Sequence, residues 1–345
     1  MRPDIVVAGI GETTPVPADS RSIPEMVLEA VEAALADAGI GHRDLDAVTT
    51  ASVDMFDGIT ASNIAVTEVV GAVMKPEARI SADGLTAVAH AACQIWSGAY
   101  ETVLVAAHAK TSIAPHRDLT QWALDPIHVQ PLGVDFLTCA GLQARLLADS
   151  DPGAERRWAE IAAKRRGGAM SPDRILASPL VASPLRLGMC AVPGDGASAV
   201  VLRAKKKGIG GPILAGIGYD LEPHALGDRD LTRWSGLERA LDRAGKTAGF
   251  EGRRPHFDLA EPSCLFPHEE ELFVAAADLD EMTEISPDGG LLAGYIPIVA
   301  GLSRMTSAIR YFRRNRKAGA LALVHGTWGP AAQGQVVAIL GGAAS

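Results

Sequence analysis

Residues 4–11, DIVVAGIG, form an almost unbroken apolar run and read as a buried strand. Ser22 then precedes Pro24 and Glu25, and Val27, Leu28, Val31, Ala34 and Leu35 recur at helical spacing as far as Gly39. A hydroxyl before the first turn, a proline inside it and a glycine past the end are the start and stop signals of a helix. DAVTTAS, 46–52, reads as the next strand. Strand, helix and strand make a βαβ unit, which implies a parallel sheet.

The same order returns further on. ILAGIGY, 213–219, repeats the AGIG pattern of the first strand, a helix follows over about 231–248, and FDLAEPS, 257–263, stands where DAVTTAS stood. A helix over 84–98 leads into the strand ETVLVAAH, and one over 302–314 leads into GALALVHG; a strand over 335–340 closes the pattern. This repetition indicates an internal duplication, with halves at 1–205 and 206–345. Two such α/β layers can share one buried interface, with a site at the strand ends between them. Residues 110–190 break the rhythm with Pro115, Pro126, Pro131, Pro172, Pro179 and Pro184, and read as an inserted loop subdomain beside the cleft.

Composition narrows the class. The 345 residues are 48% hydrophobic and 21% charged, which is ordinary for a globular α/β protein of about two domains. A net charge of -9 argues against nucleic acid as a partner, because phosphate binding needs a basic face. The basic runs Lys205–Lys207 and Arg313, Arg314, Arg316, Lys317 read as a solvated turn and a helix end, or as a local phosphate or subunit contact. No apolar stretch is long enough for a membrane span and no secretory leader is visible, so the expected compartment is the cytoplasm. Cys93, Cys139, Cys190 and Cys264 form no CxxC pair, so no metal site or disulfide framework is expected.

Taken in order, VAGIGETTPV, DPIHVQPLGVDFLT, ASPLVASPLRLGMCAVPGDGASAVVL, DGGLLAGYIPIVAGLSRM and ALVHGTWG resemble the thiolase superfamily, and within it the sterol-carrier-protein and lipid-transfer type. The resemblance runs the length of the chain. It implies a thiolase fold, two duplicated halves in a layered α-β-α-β-α arrangement, and a coenzyme A thioester as substrate or ligand with no other cofactor.

The resemblance also shows where the family's chemistry is rewritten. Thiolases attack the acyl carbonyl with a cysteine in a Cys-x-x-Gly turn, its thiolate favoured by a helix N-terminus. In ISADGLTAVAHAACQIW that position is Ser81, which reads either as a nucleophile or as a capping serine before Gly84. The Gly-His-Pro histidine falls on Ile296, with Tyr295 beside it as a phenol able to donate a proton. The His-Asp-Cys-Phe stretch reads PSCLF, keeping Cys264 but holding Pro262 and Ser263 before it. The acidic run Glu269–Glu271 reads as helix-start chemistry.

The C-terminal glycine-rich turn matches HGTWG, where Gly326 and Gly329, with the Ser81 backbone, would supply N–H groups to the thioester oxygen. His325 stands there as an acid/base candidate, and Trp328 replaces a small residue and narrows the pocket. His128 falls in a segment that runs near the pocket and dimer contact in this family. PGDGAS, 193–198, is not a phosphate loop, since no Gly-Lys-Ser/Thr follows.

Three functions remain open on these residues. One is a retro-aldolase acting on a β-hydroxyacyl-CoA, with Tyr295 and His325 as proton carriers; Pro330 stands where such aldolases carry a tyrosine. The second is a non-catalytic subunit of an active thiolase or of a zinc-ribbon/OB-fold partner. The third is an acyltransferase built on Ser81 or Cys264. At least a dimer is expected, homomeric or heteromeric.

Overall fold

A computed structural model describes residues 2–315, 317 and 319–342; Arg316, in the second basic run, lies outside the described residues. The first half begins with strand β1 (Ile5–Glu12), helix α1 (Ile23–Ala38), β2 (Ala47–Ala51), the short α2 (Asp54–Asp57), β3 (Glu77–Ile80), α3 (Gly84–Trp96) and β4 (Thr102–Ala109). Then come α4 (His116–Trp122), α5 (Phe136–Ser150), α6 (Ala154–Arg165), α7 (Pro172–Leu176) and the hairpin β5 (Leu180–Ala182)–β6 (Leu185–Arg186), before β7 (Gly196–Ala204). The second half runs β8 (Ile213–Leu221), α8 (Ser235–Thr247), β9 (Leu259–Glu261), α9 (Pro267–Ala277), β10 (Glu284–Ile285), α10 (Ala300–Asn315), β11 (Leu321–Trp328) and β12 (Gly334–Gly341).

Local signals produce the elements they predict. Ser22 caps α1 in a reciprocal capping box with Glu25, and Gly39 ends the helix in the left-handed region at φ 66°. The region around 110–190 is mostly helical and encloses its own apolar cluster around Trp158, Ile175, Leu185 and Met189.

The sheet order is β10-β9-β11-β12-β8-β1-β7-β4-β2-β3. From its centre outward, the order β1-β7-β4-β2-β3 repeats as β8-β12-β11-β9-β10. The halves join where Ile5 pairs with Leu214 and Val6 with Ile213. The sheet is mixed and departs from the all-parallel expectation. β2 is parallel to β3 and β4, but β7 lies antiparallel between β1 and β4, so β1 and β2 are not neighbours. The βαβ pattern gives strand direction and cannot show that a distant strand inserts between its two strands.

Strand alternation builds the layers. Val103 and Val105 of β4 face the central layer of α3 and α10, whereas Leu104 and Ala106 face α1. In the second half Ala322 and Val324 face inward, and Leu323 faces α8 and α9. The result is an α-β-α-β-α stack.

The repeated AGIG pattern has a packing cause. A Cβ at Gly9 or Gly11 would lie 2.1 or 2.0 Å from the carbonyl oxygens of Ala34 and Ala30 on α1. At Gly216 and Gly218 it would lie 2.2 and 1.9 Å from those of Ala244 and Ala240 on α8. Each outer helix therefore rests directly on the first strand of its half. Gly218→Ala is expected to destabilise the protein by about 2–3 kcal/mol, because helix backbone must move. Gly245→Ala, on α8 with open space around it, should be neutral or stabilising by up to about 1 kcal/mol. Chemical denaturation of both variants checks the contrast.

The basic runs are largely paired among the described residues, although Lys207 and Arg314 are exposed. Lys206 pairs with Glu101, Arg313 with Asp37, and Lys317 with Asp258. No described helix is long and apolar enough to cross a membrane.

Candidate active site

A cavity of about 200 Å³ opens where the α3 and α9 N-termini, the 295–298 loop, the β11–β12 turn and helices α4 and α5 converge. Its walls are mainly apolar and aromatic, including Phe56, Phe136, Phe266 and Trp328, but Asp83, Glu269, Tyr295 and His116 reach the same space.

Asp83 is the N-cap of α3. One carboxyl oxygen accepts the Leu85 N–H and the other the Gly301 N–H, each at 2.9 Å. No cation pairs with it among the described residues, and burial pushes its pKa up to about 7 against those two hydrogen bonds. A Cβ at Gly301 or Gly326 would lie 2.1 or 2.2 Å from Asp83 Oδ1. Both glycines make room for this carboxyl.

Glu269 stands in the first turn of α9. Its Oε2 accepts the N–H groups of Leu265 at 2.7 Å and Phe266 at 3.3 Å, while Oε1 has no partner among the described residues. Burial raises this carboxyl also to about 7. Its neighbours on the acidic run serve packing: Glu270 pairs with Arg165 and Glu271 with Arg157.

Tyr295 lines the same cavity as both carboxyls, near enough to feel their charge. Burial, then the charges of Asp83 and Glu269, push its phenol well above the usual range, which keeps it protonated and a donor. Its carbonyl accepts the Gly194 N–H at 2.9 Å, tying the loop to the PGDGAS turn. His116 packs between Phe56 at 5.1 Å and Phe136 at 5.3 Å, with Nδ1 buried and unpartnered. Burial lowers it to about 4, so it is neutral at physiological pH.

The structure brings only some of the predicted residues together. Tyr295, Trp328 and Gly329 line the cavity. Trp328 narrows it from one side, held by stacking on Tyr219 at 5.3 Å and by lying over Gly334. Ser81 is exposed, is absent from the cavity wall and does not cap α3; Asp83, directly before the first helical residue, takes that place.

His325 points the other way. Val324 faces the central layer, so the next residue of the strand faces outward, between Trp234 and Phe273. Its Nε2 meets Gln335 Oε1 at 2.6 Å and its Nδ1 faces the Ser263 N–H at 3.3 Å. Burial lowers its pKa to about 4. It is a structural, neutral histidine outside the cavity.

Cys264 is buried in the outer core, off the cavity wall, and burial pushes its thiol far up. Ile296 belongs to the central core, its Cδ1 filling the space over Gly196. His128 is exposed beside Asp125 at 3.3 Å. Asp83 and His116 were not singled out in the sequence and Glu269 was read only as helix-start chemistry, yet all three line the cavity. The Asp-Gly pair before an apolar helix and the Pro-His-Glu start of α9 are visible as capping signals, but nothing local says that those caps face a cavity.

The repeated five-strand order with two central helices defines a thiolase fold. Solved structures share it. One described as an Ltp2-ChsH2(DUF35) aldolase matches with a TM-score of 0.78 at 19% identity, covering 99% of this chain and 98% of that one. A monomeric SCP2-thiolase like protein type 1 from Mycobacterium smegmatis matches with a TM-score of 0.73 at 20% identity, covering 98% of this chain and 76% of that one. At these identities the likeness establishes the fold. No protein-family model and no curated protein matches the chain.

Proposed function

We propose that the chain is a carbon–carbon lyase that cleaves a β-hydroxyacyl-CoA by a retro-aldol step. The observation that carries this reading is the convergence of Tyr295 with two unpaired buried carboxyls, Asp83 and Glu269, in a cavity whose wall includes no cysteine. A thiolase needs a thiol there; a retro-aldolase needs a base, an acid and donors for an enolate.

The roles follow from the geometry. Glu269 Oε1, free of hydrogen bonds, takes the proton of the β-hydroxyl. The Cα–Cβ bond breaks, its electron pair passing into the thioester as an enolate while Cβ leaves as an aldehyde or ketone carbonyl. The Tyr295 phenol then delivers a proton to Cα, and the proton on Glu269 returns to the tyrosine. The products are one carbonyl compound and one shortened acyl-CoA, so atoms balance. Asp83 stays as the cap that fixes the start of α3 against Gly301.

The aldolase among the structural neighbours supports this choice over an acyltransferase using Ser81 or Cys264, neither of which reaches the cavity. A non-catalytic subunit would have little need for four titratable groups around open space. A further chain, whether a second copy, an active thiolase subunit or a zinc-ribbon/OB-fold partner, remains part of the proposal, with the cytoplasm as its setting.

The test is incubation of the protein, alone and with any co-purifying partner, with β-hydroxyacyl-CoA esters, following carbonyl release and intact protein mass. Release without mass gain supports the lyase. A covalent acyl adduct lost in Ser81→Ala sinks it. Because the base works as a carboxylate, kcat/KM should rise with pH and level off above about 7, well above the usual carboxylate range. A profile already flat from pH 5 would remove Glu269 from the role.

A further inference from the structure

The turn joining β11 to β12 carries backbone strain. Ala331 and Ala332 are both left-handed, at φ 46° and 54°, where side chains with a Cβ are rarely found, and both line the cavity with Pro330. Gln335 Nε2 donates to the Ala332 carbonyl at 2.7 Å, and the two carbonyls before it are held by Arg229, on the loop before α8. Its side chain is only 5% exposed, and its guanidinium donates to the carbonyl oxygens of Pro330 and, at 3.3 Å, Ala331. Glu222, at 3.6 Å, supplies the counter-charge; its other oxygen accepts the Gly236 N–H at the start of α8. Arg229 itself does not line the cavity.

A trans peptide points its N–H opposite to its C=O. Arg229 draws the Pro330 carbonyl outward, so the N–H of the same peptide, that of Ala331, is turned to the opposite side. This N–H has no acceptor among the described residues. A backbone donor left unpaired beside a cavity, in a strained turn clamped from behind, is suited to receive charge that develops during reaction.

We propose that Arg229 is a positioning residue that clamps the 330–331 peptide so that the Ala331 N–H meets the thioester oxygen as it becomes an enolate. This rests on the lyase reading for its turnover arm, but the geometry also makes a claim about enolate binding that needs no turnover. Lysine at the same place would keep the charge beside Glu222 and lose the two-pronged grip on the carbonyls.

The test uses the full chain carrying Arg229→Lys, with Arg229→Ala as a cavity variant. The first readout is the near-ultraviolet enolate absorbance of bound acetoacetyl-CoA; the second is kcat and KM for β-hydroxyacyl-CoA cleavage. Wild type should show the enolate band. Arg229→Lys should lose most of it and lose about 10²-fold in kcat, with KM within about twofold and a near wild-type melting temperature. Added methylguanidinium should restore part of the band to Arg229→Ala, an effect that a merely structural role would not give.

If wild type cleaves nothing yet shows a band that Arg229→Lys abolishes, the clamp stands and the lyase reading falls. If cleavage proceeds and both band and kcat survive Arg229→Lys, the clamp falls and the lyase stands. A wild type without any band overturns the clamp. So does a loss in both variants that only follows loss of folded protein and that methylguanidinium leaves unchanged.

Discussion

Tyr295→Phe is expected to lower kcat for β-hydroxyacyl-CoA cleavage by about 10²–10³-fold, with KM within about twofold of wild type. The substitution removes one oxygen and keeps the ring, so the contact with the cavity wall survives. Burial and the flanking carboxyls Asp83 and Glu269 keep the phenol protonated, which makes it a donor throughout the physiological range. The hydroxyl is needed when Cα must gain a proton, late in the reaction, and less in the ground state; a loss confined to kcat is the signature of that timing. The check is steady-state carbonyl release together with a thermal melt. A variant that keeps more than about a third of wild-type kcat would take the proton away from Tyr295, and would shift attention to the Glu269–Asp83 pair.

Arg304→Met is expected to destabilise the fold by about 3–5 kcal/mol, enough to lower the melting temperature by roughly 6–10 °C in a chain of this size. Arg304 is buried on α10, and its Nη1 donates to Glu261 at 3.0 Å and to Asp288 at 3.1 Å. Glu261 ends β9 and is fully enclosed; burial raises its pKa to about 7 even with Arg304 beside it. Removing the guanidinium leaves that carboxyl buried without a counter-charge, so the loss exceeds the worth of the pair itself. The double variant Arg304→Met with Glu261→Gln should therefore recover most of the stability. If the single variant melts within about 2 °C of wild type, the ion pair is solvated and contributes little.

The sequence by itself determined a large part of this protein. The first strand and outer helix of each half and the two central helices were legible, because apolar spacing and caps act within a few residues, whereas the short edge strands β3 and β10 were not. Ser22 with Glu25, Gly39 and the twin AGIG strands produce their elements wherever the rest of the chain lies. The lack of a cysteine in the expected nucleophile turn was visible too, since a serine cannot act as a thiol in any fold. Tertiary structure decided the remainder. The insertion of β7 between β1 and β4 depends on a pairing across nearly the whole first half, which no local pattern encodes.

The site shows the same division. Tyr295 could be named from its neighbours in sequence, but His325 and Asp83 could not be sorted. One residue of strand parity sends His325 into the outer core, and two glycines distant in sequence, Gly301 and Gly326, open the space that Asp83 fills. Whether a carboxyl is a solvated cap or a buried base near pH 7 depends on what covers it. Desolvation is set by every element packed around the group, so it appears only when the chain has folded.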